Sequence, residues 1–144
     1  MIATESVFER RFEDLAAGDR FATEPREVSE RDILEFAALT GDRHPQHTDP
    51  EWAAGSRFGE QIAHGLLVVS LAVGLMPLDP DRIVALRRVS DAVFKQPVKI
   101  GDTVHVEGEI LRTREPGLVE LALRIVKGDG RLAVRARMEL LWRT

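Results

Sequence analysis

The apolar run "LLVVSLAVGLMPL", residues 66–78, limits the possible folds more than any other feature of the chain. Ser70 is its only polar side chain. The run is long for a strand, which typically has about 5–6 residues, and too short to cross a bilayer as a helix, which takes about 20. A helix that is apolar on every side is surrounded by protein. We therefore expect a buried helix that follows His64 and Gly65.

The C-terminal half of the chain has the alternation of antiparallel strands. Four segments after residue 80 alternate apolar and polar side chains, the pattern of strands that are buried on one face. In the second of them, Val104, Val106, Gly108 and Ile110 share one face. The "GDG" at residues 128–130 predicts a hairpin turn. One helix wrapped by a curled antiparallel sheet satisfies these patterns. This predicts an α+β fold, with residues 1–144 forming a single domain.

The N-terminal part is expected to contain few helices. Ser29 followed by Asp32 resembles a capping box, so a helix should begin there and end at Gly41. The next segment, "GDRHPQHTDP" at residues 41–50, should be a loop, since Pro45 interrupts regular structure. One or two helical turns are predicted from Pro50.

Composition excludes several classes of protein. The formal net charge is −4, whereas nucleic-acid and anionic-membrane surfaces need an excess of Lys and Arg. Nucleic-acid and membrane partners are therefore not expected. The chain has no cysteine, which excludes disulfides, thiolate nucleophiles and zinc–thiolate sites. The N-terminus lacks an apolar run of signal-peptide length, so a cytoplasmic location is expected.

The polar segment at residues 41–50 permits three interpretations: a metal site, an acid/base pair or a solvated loop. His44 and His47, with Asp42 or Asp49, could ligate a metal. However, H-x-x-H around a proline is a poor chelate and no H-E-x-x-H helix is present, so no metal site is predicted. From spacing alone, Asp42 is better explained as a turn residue, His47 as an exposed histidine and Asp49 as a helix N-cap.

Three motifs together resemble a known family. They are "FAALTGDRHPQHTDPEWA", "FGEQIAHGLLVVSL" and "KQPVKIGDTVHVEGEI". They are similar to the MaoC-like branch of the hotdog fold, which contains the (R)-specific enoyl-CoA hydratases. The resemblance implies a long central helix wrapped by a curved sheet, and assembly as a homodimer or higher homo-oligomer. It also implies reversible hydration of trans-2-enoyl thioesters, carried on coenzyme A or acyl carrier protein, to (R)-3-hydroxyacyl thioesters without a cofactor.

The resemblance also implies roles for individual residues. Asp42 and His47 match the catalytic pair, and the backbone N–H of Gly65 matches the oxyanion donor. Three further residues are expected to contact substrate: His64, Ser70 and Phe58. From position alone, His64 could equally be structural, bonding backbone near the helix start.

Two positions depart from the family pattern. His44 stands where the family has Asn, and Val73 stands where well-studied hydratases have Ser. Two alternatives to a hydratase remain open at this point. One is a non-catalytic or partner-dependent subunit of a heteromeric dehydratase. The other is an acyl-thioester-binding hotdog protein or thioesterase, although residues 66–76 lack the carboxylate that hotdog thioesterases carry on the central helix.

Overall fold

The computed structural model describes residues 6–144. Residues 1–5, on which the expectation of no signal peptide partly rests, lie outside the described residues. Two 3₁₀ turns, Val7–Glu9 and Phe12–Asp14, precede the first strand. Within the described part of the chain, no helix is long and apolar enough to cross a membrane.

A six-stranded antiparallel sheet forms most of the molecule. The strands are β1 (Arg20–Ala22), β2 (Arg26–Glu27), β3 (Ile83–Phe94), β4 (Thr103–Arg114), β5 (Leu118–Lys127) and β6 (Leu132–Trp142). Their order in the sheet is β1-β4-β5-β6-β3, and β2 pairs with β4. The predicted alternation is confirmed in β4, where Val104, Val106 and Ile110 are at most 1% exposed. It was wrong for the first of the four segments in the single chain, because no residue of β3 is buried. The predicted turn at residues 128–130 joins β5 to β6.

The apolar run forms helix α4, Gly65–Leu75, as predicted. Leu67, Val68 and Ala72 belong to the hydrophobic core together with the buried face of β4. Burial of each such Leu or Val contributes about 1.5–3 kcal/mol relative to exposure. The expectation that protein surrounds this helix on every side was wrong for the single chain. Leu66 is 67% exposed, and the side of α4 that carries Ser70 also faces outward, because the sheet covers only one side of the helix.

The N-terminal half is richer in helix than expected. It contains α1 (Glu30–Thr40), α2 (Pro45–Thr48) and α3 (Pro50–Ala54). The prediction that Pro45 interrupts regular structure was wrong. It begins α2 instead. The N–H that proline lacks would have no partner in the first turn of a helix, and the fixed backbone angle of proline suits a helix start.

The boundaries of α1 are those predicted. Ser29 and Asp32 form the capping box, and Asp32 also forms an ion pair with Arg26, with N–O distances of 2.9 and 3.1 Å. Gly41 ends the helix with a φ of 83°, a left-handed conformation that glycine adopts without strain. This end of α1 delivers the chain directly to Asp42.

Candidate active site

A cavity of about 480 Å³ lies where α1 ends, α2 passes and α4 begins. It gathers five of the six residues that the sequence singled out: Asp42, His47, Phe58, His64 and Gly65. The sixth, Ser70, is not among the residues that line it. Ser70 is on the exposed side of α4, where its hydroxyl donates to the Leu66 carbonyl at 2.7 Å. The expected substrate contact of Ser70 therefore stays a prediction.

His47 is held by α2 and is only 6% exposed. The expectation that it lies on a non-helical loop was wrong, as was its interpretation as an exposed histidine. Its Nδ1 lies 2.7 Å from the carbonyl oxygen of Ile62. Because a carbonyl can only accept, Nδ1 carries the proton in this bond. The other nitrogen, Nε2, is then left with a lone pair that can accept a proton.

Helix α2 itself depends on His44. The Nδ1 atom of His44 accepts a hydrogen bond from the Gln46 N–H at 3.1 Å, so that His44 acts as the N-cap of α2. Asparagine is among the best capping residues. The departure from the family pattern at this position therefore keeps a capping side chain, and His44 is not one of the residues that line the cavity.

Asp42 is an exposed residue in the turn that leaves α1. Its backbone N–H donates to the Thr40 hydroxyl at 3.2 Å, and its carboxylate accepts from the His44 N–H at 3.4 Å. The turn-residue interpretation is therefore correct as far as it goes. The same residue also lines the cavity, so its local bonds fix a carboxylate beside His47.

Hydrogen bonds tie the segment that carries Asp42 and His47 to the segment that precedes α4. His64 Nε2 donates to the Asp42 carbonyl at 2.9 Å, and the Gln61 amide donates to the His47 carbonyl at 2.8 Å. The Ile62 N–H donates to the Gln46 carbonyl at 3.1 Å. Gln61 is only 7% exposed, and sequence reasoning missed it because nothing local distinguishes a buried glutamine from a solvated one.

The two buried histidines are stacked. The ring centroids of His47 and His64 are 3.8 Å apart, with an angle of 23° between the planes. The pKa of His47 is lowered below its usual range, chiefly because burial disfavours the imidazolium. The neighbouring His64 lowers it further, whereas the bond to Ile62 and the charge of Asp42 oppose the shift. His47 is therefore neutral, and able to act as a base, at neutral pH.

Asp42, His47 and His64 also form a cluster of possible metal ligands, with one donor atom from each lying within 4.8 Å of the others. This set differs from the one weighed from the sequence, because His64 takes the place of His44. A histidine binds a metal with a lone pair in its ring plane. The in-plane lone pairs of two nearly parallel stacked rings do not meet at one point. A shared metal would therefore require one ring to turn.

Gly65 is the first residue of α4, so its N–H has no acceptor within the helix. Among residues 6–144 this N–H has no hydrogen-bond acceptor. Phe94, at the end of β3, covers the glycine: a Cβ at position 65 would lie 2.5 Å from the Phe94 ring. Phe94 also lines the cavity and is 50% exposed. It is a second site residue that the sequence did not reveal.

Comparison with known proteins identifies the family. The MaoC like domain matches residues 13–118. The chain belongs to the MaoC-like dehydratase family. MaoC-like relatives include Protein MaoC of Klebsiella aerogenes, 39% identical over 69% of this chain. The (R)-specific enoyl-CoA hydratase of Aeromonas caviae is 36% identical over 72% of this chain and 78% of its own length.

The fold agrees with that assignment. The structure described as the monoamine oxidase regulatory protein from Archaeoglobus superposes with a TM-score of 0.85 at 34% identity, covering 94% of this chain and 95% of that one. The predicted hotdog fold, a central helix against a curved antiparallel sheet, is thereby confirmed. The chain spans only 30% of the length of the Klebsiella protein, and what it shares with that protein is the MaoC-like domain.

Proposed function

We propose that the protein is an (R)-specific hydratase/dehydratase that acts reversibly on trans-2-enoyl and (R)-3-hydroxyacyl thioesters. The observation that carries the proposal is the convergence on one cavity of two proton acceptors, His47 Nε2 and the Asp42 carboxylate, with the unpaired N–H of Gly65. The Aeromonas relative that bears the name (R)-specific enoyl-CoA hydratase supports the same reaction.

In the proposed reaction, His47 is the proton carrier. A water molecule held between His47 and Asp42 loses a proton to Nε2 as its oxygen attacks C3. The resulting imidazolium is stabilised by the Asp42 charge and by the bond from Nδ1 to the Ile62 carbonyl. The imidazolium then returns the proton to C2. One water is thus added across the double bond, and His47 ends neutral again.

Gly65 has a different part in this mechanism. Attack at C3 moves negative charge onto the thioester oxygen, which becomes enolate-like. The N–H of Gly65 would donate to that oxygen, and the dipole of α4 favours negative charge at its N-terminus. In the dehydration direction the same groups stabilise the same charge, so one site accelerates both directions.

The direct test is to mix the purified protein with crotonyl-CoA and to follow the loss of the conjugated absorbance. We expect Asp42→Asn and His47→Ala each to lower kcat on the order of 10²-fold or more. His105→Ala is the matched control, because His105 is on β4, away from the cavity, and pairs with Glu107 at 2.9 Å. Near-parental turnover in either cavity variant would refute the dyad. Release of free thiol without hydration would indicate a thioesterase.

We also propose that the protein is a homodimer. β3 is an edge strand, and it carries three outward-facing apolar side chains, Val84, Leu86 and Val89, each at least 44% exposed. Natural proteins pair or cover such edges. Leu66 on α4 adds to the exposed apolar surface next to Phe94. A second copy of the chain would place its β3 beside the β3 of the first copy and would cover the outer side of α4.

A further inference from the structure

The N-terminus of α4 differs from those of the other three α-helices in the described chain. Helices α1, α2 and α3 each have a side-chain cap: Ser29 accepts from an N–H of α1, His44 from one of α2 and Asp49 from two of α3. His64 is the N-cap residue of α4, yet its side chain makes no capping bond. The first-turn N–H groups of α4 are therefore left without a side-chain partner, at the wall of the cavity.

This difference is not due to the residue type. His44 shows that an imidazole at an N-cap position accepts from the helix through Nδ1. His64 has the same atom, but that atom is buried and has no hydrogen-bond partner among the described residues. Leaving a buried acceptor unpaired costs free energy. An unused Nδ1 beside uncapped N–H groups therefore implies that other contacts hold the ring away from them.

Three contacts hold the His64 ring. Its Nε2 donates to the Asp42 carbonyl at 2.9 Å. One face stacks on His47 with centroids 3.8 Å apart, and Phe36 packs against it with centroids 4.9 Å apart. His64 is only 3% exposed, and these contacts would have to break for its ring to turn toward the helix. These contacts link His64 to both members of the dyad and leave the start of α4 open.

We propose that His64 is a positioning residue that keeps the N-terminus of α4 uncapped while fixing Asp42 and His47 relative to Gly65. This inference rests on the proposed function, because an open helix start matters only if the substrate oxygen binds there. A side chain that capped α4 would take a first-turn N–H, weaken the local positive potential and place an oxygen where the thioester oxygen must sit.

Three substitutions separate the two parts of this role. His64→Asn supplies a strong capping side chain and loses the bond to Asp42. His64→Leu has nearly the same size, can neither cap nor donate, and is the reference. His64→Gln places an amide nitrogen near the position of Nε2, so that it can restore the bond to the Asp42 carbonyl without the stacked ring.

We expect His64→Asn to slow hydrogen exchange of the Leu66 and Leu67 amides relative to His64→Leu, and to lower kcat a further tenfold or so at similar KM. We expect His64→Gln to have a higher kcat than His64→Leu. The inference is overturned if the asparagine variant caps the helix yet matches the leucine variant in kcat, if it leaves the exchange unchanged, or if glutamine gives no rescue. Inactivity of the parental protein toward crotonyl-CoA would instead count against the proposed function, and the exchange comparison would still decide whether His64 keeps the helix uncapped.

Discussion

Substitution of Gly65 by proline and by alanine tests the oxyanion donor most sharply, because both variants add a Cβ but only proline replaces the N–H with a ring carbon. Both add a Cβ, which would lie 2.5 Å from the Phe94 ring and force that ring to move. Phe94 is 50% exposed, so its ring can swing outward. Only proline deletes the N–H, and proline is tolerated at the first position of a helix.

The expected magnitude follows from that comparison. Loss of a single oxyanion donor costs about 10²–10³ in kcat. We therefore expect the kcat of Gly65→Pro to be about 10²–10³ below that of Gly65→Ala, while the alanine variant loses mainly substrate affinity because Phe94 is displaced. The assay is crotonyl-CoA hydration by the purified variants, with circular dichroism to confirm that each variant is folded.

A second pair of variants removes the contact that both substitutions would make with Phe94. Phe94→Ala relieves the contact, so in that background Gly65→Ala should recover the KM of the Phe94→Ala single variant and Gly65→Pro should not recover kcat. If a folded Gly65→Pro variant turns over substrate as fast as Gly65→Ala, the N–H of Gly65 is not the oxyanion donor and the proposed use of the α4 N-terminus is refuted.

Three further predictions concern pH, stability and assembly. Because the pKa of His47 is lowered from 6.5 and the neutral form is the base, the acid limb of kcat/KM should have its midpoint below pH 6.5, and a midpoint above that value would contradict the assignment. The free energy of unfolding, measured by chemical denaturation, should fall by on the order of 1–2 kcal/mol in Asp32→Asn, with the exposed Asp14→Asn as control. The Arg26 guanidinium lowers the pKa of Asp32 from 3.8 to about 2. The contribution of Asp32 to stability is therefore present above pH 3.8 and is lost as the pH falls through 2. Sedimentation should show at least a dimer, which Val89→Lys should weaken because Val89 is 45% exposed on the edge strand, and a stable, active monomer of 16.1 kDa would contradict the proposed assembly.

The parts of the fold that depend on neighbours along the chain could be predicted from the sequence. The capping box at Ser29, the left-handed Gly41 and the buried face of β4 all arise from local chemistry or from the period of a strand. The MaoC-like motifs placed Asp42 and Gly65 in one site, and the cavity contains both. The outer side of α4 was mispredicted because hydrophobicity on every side does not say whether this chain or another protein covers the helix.

Contacts between distant segments could not be predicted. His64 and Asp42 are 22 residues apart in sequence, and nothing in either segment indicates the bond between them. The same is true of Gln61, whose amide reaches the His47 carbonyl 14 residues away. Phe94 reaches Gly65 only because β3 ends beside the start of α4. The burial of His47, and with it the direction of its pKa shift, also depends on this packing rather than on the residues beside it.

The bonds that join residues 42–47 to residues 61–64 have a consequence for how the family can vary. They close a loop at its base. This loop contains α3 and the turns that follow it, up to residue 60. The entropic cost of closing a loop rises only slowly with its length. Insertions or deletions after Ala54 should therefore leave the relative positions of Asp42, His47 and Gly65 unchanged. This loop can be lengthened, shortened or changed in charge, and such changes would reshape the approach to the cavity without disturbing its chemistry.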